Sequence, residues 1–290
     1  MIPAHPLRLL SALLLAVCLP GAFGAQLTPP KLDVPYGHNP AAGKFAEING
    51  IKLYYETYGS GRPMLQIHGN GDNIAGMGNQ IKFFATHYRV IAADSRGQGK
   101  SAMGPGRLTY EQIAEDLNAL LDQLGVKSAD IFGRSDGGIV GLLLAIHHPD
   151  KVGKLAIMGA NLRPDGAYDW AVDSVAKQNR VVDDMIAKGD KTQPWALQKQ
   201  LLDLLGQQPN IPVADLAKIS APVLVMAGDK DVIKAEHSLE IFQHLAKAHL
   251  CIFPGSTHMI AWENPALLNQ TMENFFNAPY TRPDTRDIFQ

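Results

Sequence analysis

The chain has 290 residues, of which 46% are hydrophobic, and its 26 basic and 28 acidic residues give a formal charge of −2. This length and apolar content suffice to bury one large core without disulfides. The mixed charges form no basic stripe of the kind that binds nucleic acid. We therefore expect a small-molecule partner and no nucleic-acid partner, and the composition leaves the oligomeric state open.

The first 24 residues have the composition of a secretory signal peptide. Arg8 precedes an apolar run over residues 9–19, and the small residues Ala22 and Gly24 are typical of a cleavage site. The run is too short to span a bilayer, which needs roughly 20 residues. We expect a periplasmic or secreted protein without stable membrane insertion; an uncleaved anchor and lipidation at Cys18 are the alternatives.

Residues 25–42 form a leader rich in proline and glycine, which we expect to wrap on the surface or to be partly disordered. Strand-like runs follow over residues 44–48 and 52–58. The dipeptide Asn49-Gly50 between them is a strong hairpin pattern, so we expect two antiparallel edge strands. Strand and helix patterns then alternate, as in a mostly parallel sheet with right-handed crossovers.

The clearest helix begins after Thr109. Thr109 and Gln112 form a capping-box pattern, and apolar residues recur at helical spacing until Gly125. This apolar stripe is predicted to face the core.

Residues 133–137 read Gly-Arg-Ser-Asp-Gly and lie between a strand-like run at 129–132 and a helical pattern at 139–148. Ser135 therefore falls on a sharp turn from strand to helix, where the flanking glycines relieve crowding. Such a turn exposes a serine hydroxyl, so the motif predicts that Ser135 is a nucleophile.

A serine nucleophile needs a base and a carboxylate that orients the base. Asp229 and Asp231 follow the strand-like run 223–227, and His258 follows the run 249–253. Because both segments lie past strand ends, they are expected at the same crevice as Ser135. We predict Asp231 as the acid and His258 as the base, with Asp229 as the rival acid.

A fourth apolar run at 64–67 is followed by His68, Gly69 and Asn70. Backbone amides at this position are suited to stabilise an oxyanion, an interaction worth roughly 3 to 4 kcal/mol for each donor. We assign the two donors to the amides of Asn70 and Asp136. For His68 a structural role is favoured.

With these segments the chain resembles the α/β-hydrolase superfamily from about residue 43 to about residue 277. The loop at 94–101, which follows an apolar run at 89–93, also matches the family. The resemblance implies an α/β-hydrolase fold, a mostly parallel central sheet flanked by helices, with a helical cap inserted. It implies Ser135, Asp231 and His258 as the triad, and it implies no metal and no organic cofactor.

The expected domains follow from the point where the alternation of strands and helices stops. They are a core of residues 43–162 and 216–277, a helical cap of residues 163–215, and a tail of residues 278–290. In the resembling family such a cap covers the crevice and selects the substrate. Trp170 and Trp195 are the candidate substrate-binding residues of the cap, although apolar cap residues also serve simple packing.

Asp136 directly follows the nucleophile and begins a helix, where an acidic side chain is favoured by the helix dipole. A second interpretation is that Asp136 binds the amine of a substrate. Residues 133–138 and 159–161 are similar to the valacyclovir-hydrolase group, whose members cleave esters of α-amino acids. Arg134 departs from that similarity.

The predicted activity is hydrolysis of a small carboxylic ester through an acyl-enzyme. The same triad supports a carbon-carbon bond hydrolase, a lactonase or a perhydrolase, and sequence does not separate these. Outside the enzymes, the alternative is a ligand-binding receptor with slow turnover.

Overall fold

The computed structural model of the protein describes residues 32–289. The predicted signal peptide and the first part of the predicted leader lie outside these residues. The described chain contains an eight-stranded sheet. Its strands are β1 (Gly43–Ile48), β2 (Ile51–Tyr58), β3 (Arg62–Ile67), β4 (Tyr88–Ala93), β5 (Ala129–Arg134), β6 (Val152–Met158), β7 (Val223–Lys230) and β8 (Ala248–Thr257).

Across the sheet the strands follow the order β1, β2, β4, β3, β5, β6, β7, β8. β2 pairs antiparallel with both β1 and β4, and the pairings from β4 through β3, β5, β6 and β7 to β8 are parallel. The predicted mostly parallel sheet is confirmed. The carboxyl ends of β3, β5, β6, β7 and β8 therefore share one edge, where open α/β sheets bind their ligands.

The hairpin at Asn49-Gly50 joins β1 and β2. Asn49 has φ 46° and Gly50 has φ 77°, the positive values that a two-residue type I′ turn requires. The hairpin prediction is confirmed, but of its two strands only β1 lies at an edge of the described sheet. The expectation of two edge strands was wrong because β2 also pairs with β4, with Tyr55 opposite Ala93.

Helices pack on both faces of the sheet. They are α1 (Gly78–Phe84), α2 (Tyr110–Gln123), α3 (Asp136–His147), α4 (Asp169–Ala187), α5 (Trp195–Gln207), α6 (Ala235–His244), α7 (Ile260–Glu263) and α8 (Pro265–Asn277). Within residues 32–289, no helix combines the length and apolar content needed to cross a membrane.

Successive residues of the central strands enter different apolar clusters. In β5, Ile131 belongs to the apolar cluster that includes residues of α2, α3, α5 and α6, whereas Phe132 belongs to the cluster that includes residues of α1, α7 and α8. Adjacent strand residues point to opposite faces, so both faces of the sheet are buried, as is typical of parallel sheets. Two apolar layers thus hold the strand ends that carry the candidate site.

The start of α2 follows half of the predicted capping box. Thr109 accepts a hydrogen bond from the Gln112 amide at 3.0 Å. The Gln112 side chain does not complete the box within the described chain, because its Nε2 donates to Asp116 Oδ1 at 3.0 Å. The Gln112 side chain therefore pairs with the Asp116 carboxylate, one turn further along α2, and not with the backbone of Thr109.

Glu56, on β2, is a fully buried carboxylate that fixes the segment before β1. Its oxygens accept from the amides of Gly37 at 2.8 Å and Asn39 at 3.0 Å, and from the hydroxyls of Tyr54 and Tyr58 at 2.7 Å each. The end of the predicted leader is therefore anchored to the sheet. A buried carboxylate is tolerated here because four donors replace its water shell.

The predicted cap interval between β6 and β7 contains α4 and α5. Two glutamines of this interval hold the segment before α2: Leu108 donates its amide to Gln200 Oε1 at 2.6 Å, and Gln208 Nε2 donates to the Leu108 carbonyl at 3.3 Å. Helix α5 thus lies against the core, while the domain limits themselves remain predictions.

A buried ion pair joins α2 to the loop after β4. Arg96 donates from Nε and Nη2 to the two oxygens of Asp116, at 2.7 Å each, and Asn49 Nδ2 donates to the same carboxylate at 2.9 Å. Both charged side chains are at most 4% exposed. Removing one partner would leave the other charge buried without compensation.

We predict that Asp116→Ala lowers the free energy of unfolding by about 3 to 5 kcal/mol because Arg96 then remains buried and unpaired. Urea denaturation followed by circular dichroism measures the change. The control is Glu47→Ala, which removes an exposed ion pair with Lys52 and should cost less than about 1 kcal/mol. Equal losses in the two variants would contradict the prediction.

Candidate active site

Ser135 occupies a strained turn between β5 and α3. Its φ of 55° and ψ of −121° lie in a region that non-glycine residues rarely adopt. A Cβ atom on Gly133 would lie 2.1 Å from the Gly137 carbonyl oxygen, and one on Gly137 would lie 2.1 Å from the Ile67 oxygen. The turn therefore requires both glycines, and it leaves Ser135 half-buried between fully buried neighbours.

The backbone of Ser135 is tied to β6, which also borders the predicted base. The Ser135 amide donates to the Met158 carbonyl at 2.7 Å. The next residue, Gly159, lies against His258, since a Cβ atom there would be 2.7 Å from His258 Nδ1. The end of β6 thus brings the predicted nucleophile and the predicted base to the same place.

Asp231 and His258 form a buried hydrogen-bonded pair. His258 Nδ1 lies 2.6 Å from Asp231 Oδ1, and the aspartate also accepts from the amides of Ile233 at 3.0 Å and Gly228 at 3.3 Å. Burial raises the pKa of Asp231, but the charge and hydrogen bond of His258, with these amides, outweigh it, so the pKa is lowered overall. An ionised Asp231 holds the proton on Nδ1 and leaves Nε2 free to accept one.

The rival Asp229 has a different role. Its carboxylate accepts from the amides of Gly255 at 2.9 Å and Ser256 at 3.2 Å, just before His258. Asp229 therefore holds the end of β8, while Asp231 contacts the imidazole. The two carboxylates diverge because the backbone turns after β7.

Glu263 supports the same loop and was missed in the sequence analysis. Its carboxylate accepts from the Thr257 amide at 3.0 Å and the Thr257 hydroxyl at 2.6 Å, and Met259 donates to that hydroxyl at 3.0 Å. The residues on both sides of His258 are therefore fixed. Sequence spacing alone contains no pattern that distinguishes Glu263 from other surface acids.

Residues 68–72, which we call the oxyanion loop after their predicted role, lie against Ser135, the predicted nucleophile. A Cβ atom on Gly69 would be 3.1 Å from Ser135 Cβ. His68 fixes the loop: its Nδ1 lies 2.8 Å from the Gly69 carbonyl, and its Nε2 accepts from the Ser95 amide at 2.9 Å. These contacts give His68 the structural role that we favoured, and the assignment of the Asn70 and Asp136 amides stays a prediction.

Arg134 joins the oxyanion loop to the turn of the nucleophile, an interaction absent from the sequence analysis. Its guanidinium forms a buried ion pair with Asp72 and lies 5.2 Å from the centre of the Trp262 ring. Trp262 in turn donates from Nε1 to the Gly76 carbonyl at 2.9 Å. Arg134 therefore holds the end of the loop beside Ser135, and the only advance indication was its unusual place in the serine motif.

Asp136 is buried, with 4% of its surface exposed, and its Oδ2 accepts from Asn70 Nδ2 at 2.9 Å. Burial raises the pKa of the Asp136 carboxyl. The hydrogen bonds of Asn70 and Tyr110 and the charges of the nearby histidines lower it, but burial has the larger effect, so the pKa is raised overall. Burial also raises the pKa of Tyr110. An incoming amine would have to displace Asn70 to reach this carboxylate.

The two predicted cap residues differ in their surroundings. Trp170 exposes 58% of its surface. Trp195 is half-buried, donates from Nε1 to Asp190 Oδ1 at 2.6 Å, and lines a cavity of about 580 Å³ together with Met103 and Leu197. Trp195 therefore borders an open depression in the surface, whereas Trp170 faces solvent.

Comparisons with known proteins agree with this architecture. A family model described as the alpha/beta hydrolase fold matches residues 62–192. RutD of Azorhizobium caulinodans, named as a candidate carbamate hydrolase, is 34% identical over 122 residues, which cover 42% of this chain and 46% of that relative. The chain thus spans less than half the length of the first relatives that it matches.

Other known proteins align over most of the chain. The 3-oxoadipate enol-lactonase 2 of Acinetobacter baylyi is 28% identical over 248 residues, which cover 77% of this chain and 92% of that one. A solved hydrolase structure from Pseudomonas aeruginosa aligns with a TM-score of 0.68 at 25% identity, covering 83% of this chain and 100% of that one. These matches support assignment to the α/β-hydrolase superfamily, and the predicted α/β-hydrolase fold is confirmed. The narrower likeness to the valacyclovir-hydrolase group stays a prediction.

We predict that Asp231→Asn slows covalent labelling of Ser135 by an alkyl fluorophosphonate by about 10³ to 10⁴-fold, because the imidazole loses its orienting carboxylate. Mass spectrometry of the modified chain measures the rate. The matched variant Asp229→Asn should slow labelling by no more than about tenfold, since it weakens only hydrogen bonds to the backbone. The assignment fails if Asp229→Asn has the larger effect.

Proposed function

We propose that the protein is a serine hydrolase that cleaves a small carboxylic ester through an acyl-enzyme. The observation that carries the proposal is the buried 2.6 Å contact between Asp231 and His258 beside the strained turn of Ser135. A packing role does not require a strained serine next to a paired histidine. The arrangement supplies a nucleophile, a base and a carboxylate at one sheet edge.

In the proposed reaction, Ser135 Oγ attacks the ester carbonyl carbon while His258 Nε2 takes the hydroxyl proton. The ionised Asp231 stabilises the imidazolium that forms. The amides of Asn70 and Asp136 donate to the oxyanion. Collapse of this intermediate expels the alcohol, which receives the proton from His258. Water then attacks the acyl-enzyme by the same route, and the acid is released as Ser135 regains its proton.

Two relatives support alternatives within the same chemistry. A lactone is a cyclic ester, and the enol-lactonase of Acinetobacter baylyi aligns over most of both chains. A 2-hydroxy-6-oxononadienedioate/2-hydroxy-6-oxononatrienedioate hydrolase of Comamonas testosteroni is 23% identical and covers 80% of this chain. Lactone hydrolysis and carbon-carbon bond hydrolysis are therefore the next reactions to assay.

An α-amino acid ester is the narrower candidate, with Asp136 as the amine-binding residue. The carboxylate is buried and bonded to Asn70, so binding an amine would require the Asn70 side chain to move. We therefore propose a general small-ester substrate ahead of an amino acid ester.

We predict that the protein hydrolyses valine benzyl ester and its N-acetylated form with similar kcat/KM. Ser135→Ala and His258→Ala should each lower kcat/KM by about 10⁴ to 10⁶-fold, because each removes a member of the triad. Benzyl alcohol release measures the rate, and thermal unfolding checks that both variants remain folded.

Hydrolysis that survives in purified Ser135→Ala would refute the mechanism. A strong preference for the free amine would favour recognition by Asp136 over the general substrate. Tight binding of an ester without multiple turnover would instead identify the slow-turnover receptor.

We also propose that the protein acts in the periplasm or outside the cell, on the evidence of the signal-peptide pattern in residues 1–24. Expressed in a Gram-negative host, the full chain should be recovered from the periplasm with an N-terminus near Ala25. A matched chain without residues 1–24 should stay in the cytoplasm. N-terminal sequencing measures this, and an intact N-terminus or a lipid on Cys18 would contradict cleavage near Ala25.

A further inference from the structure

The side chain of Asn70 joins three parts of the molecule. Its Nδ2 donates to Asp136 Oδ2 at 2.9 Å and to the Leu201 carbonyl at 3.0 Å. Asn70 belongs to the oxyanion loop, Asp136 is the first residue of α3 beside Ser135, and Leu201 lies in α5. We call these two contacts the Asn70 bridge.

The orientation of this amide is fixed by its partners. Both contacts are acceptors, so a flipped amide would place Oδ1 against a carboxylate and a carbonyl. In the actual orientation Oδ1 is buried and accepts no hydrogen bond from the described residues. An unpaired buried acceptor is unfavourable, so the two contacts of Nδ2 are what hold the side chain in this position.

The Asn70 bridge is separate from the other polar contacts of this part of the cap. Gln200 and Gln208 both bond to Leu108, in the segment before α2. Loosening those contacts does not touch the oxyanion loop directly. The chain thus offers a matched control at Gln208, which lies at the C-terminal end of α5, seven positions beyond Leu201. Removing its contact loosens that end of the helix while the Asn70 bridge still holds Leu201.

We propose that Asn70 is a positioning residue whose side chain couples the place of cap helix α5 to the backbone of the oxyanion loop. The loop has little freedom to shift without effect, because the Cβ position of Gly69 lies 3.1 Å from Ser135 Cβ. When α5 packs against the core, the Leu201 carbonyl and the Asp136 carboxylate together fix the side chain of Asn70 and thereby its backbone amide. When α5 moves, the predicted oxyanion donor moves with it.

The coupling itself is tested by hydrogen exchange, without any substrate. Asn70→Ala should raise amide exchange in both residues 68–72 and residues 195–207. The control Gln208→Met should raise exchange only near the C-terminal end of α5, at residues 205–207, and leave residues 68–72 unchanged, because the Asn70 bridge still holds Leu201. If Asn70→Ala alters only one of the two segments, the coupling is refuted.

The kinetic consequence rests on the proposed hydrolase function. Asn70→Ala keeps the backbone amide but removes the side-chain contacts that hold it in place. We therefore expect kcat to fall by about 10 to 100-fold, which is less than the roughly 10² to 10³-fold loss when an oxyanion donor is removed. KM should change less than about threefold, since an effect confined to the transition state lowers kcat and kcat/KM together. Gln208→Met should keep kcat within about twofold, a difference of under 0.5 kcal/mol.

An exchange of the two side chains separates positioning from loss of structure. Asn70→Asp brings two carboxylates together and should lower kcat at least as far as Asn70→Ala. Combining Asn70→Asp with Asp136→Asn restores the bond between residues 70 and 136 but gives the Leu201 carbonyl no donor. We therefore expect kcat to recover about tenfold over Asn70→Asp alone, while amide exchange in residues 195–207 stays raised. The proposal would be overturned if kcat did not recover although thermal unfolding showed that both variants are folded. If Asn70→Ala does not fold, this pair of variants and its exchange pattern replace it.

The experiments distinguish failure of the proposed hydrolase function from failure of the proposed coupling through Asn70. A wild-type protein that hydrolyses no ester, lactone or carbon-carbon substrate refutes the proposed function, while hydrogen exchange still decides the coupling. A wild-type protein that hydrolyses esters, with equal losses of kcat in Asn70→Ala and Gln208→Met, retains the function and refutes the coupling.

Discussion

The conformation of Ser135 is the constraint on which the rest of the site depends. A residue held at positive φ costs of order 1 to 3 kcal/mol and persists only where the surroundings enforce it. Here the enforcement comes from β5, paired on both sides, and from the bond between the Ser135 amide and Met158 on β6. Gly159, directly after β6, leaves room for His258. Backbone pairing in the sheet therefore determines where both the hydroxyl and the imidazole lie.

Buried charge is distributed around this turn so that each group has a partner. Asp231 is balanced by His258 and two amides, and Arg134 is balanced by Asp72. These pairs are costly to desolvate, and their geometry matters more than their net contribution to stability. Asp136 differs, because its principal partner is the neutral amide of Asn70. Its pKa is raised because burial outweighs the opposing hydrogen bonds of Asn70 and Tyr110 and the charges of the nearby histidines.

Much of the fold was predictable because it follows from local pattern. The hairpin at Asn49, the helix after Thr109 and the turn at Ser135 each depend on residues close together in sequence. The triad candidates were found for a related reason, since strand ends in a parallel sheet meet at one edge. The choice between Asp229 and Asp231 needed the structure, because Asp229 lies at the end of β7 and Asp231 just beyond it, and only the direction of the backbone separates their carboxylates.

Interactions between distant residues were not predictable from one sequence. Arg134 and Asp72 are 62 positions apart, and Asn70 and Leu201 are 131 positions apart. Neither spacing has a periodicity that links its members. For the cap, helical spacing located α4 and α5 but did not say which face of each helix is covered, so Trp170 and Trp195 received the same assignment and have different surroundings.

The anchoring of residues 37–39 to Glu56 has a practical consequence for attaching the molecule to other materials. The chain leaves the sheet beside β2, whereas Asp231 follows β7 and His258 follows β8 near the opposite border. Neighbouring strands are about 4.8 Å apart, so the five strand spacings between β2 and β7 correspond to about 24 Å, and β8 lies one spacing further away. His38, between the two anchored residues, is exposed. A resin or fluorophore attached to its side chain would therefore lie on the side of the sheet away from Asp231 and His258. Preparations immobilised through that residue would keep the crevice open to the medium.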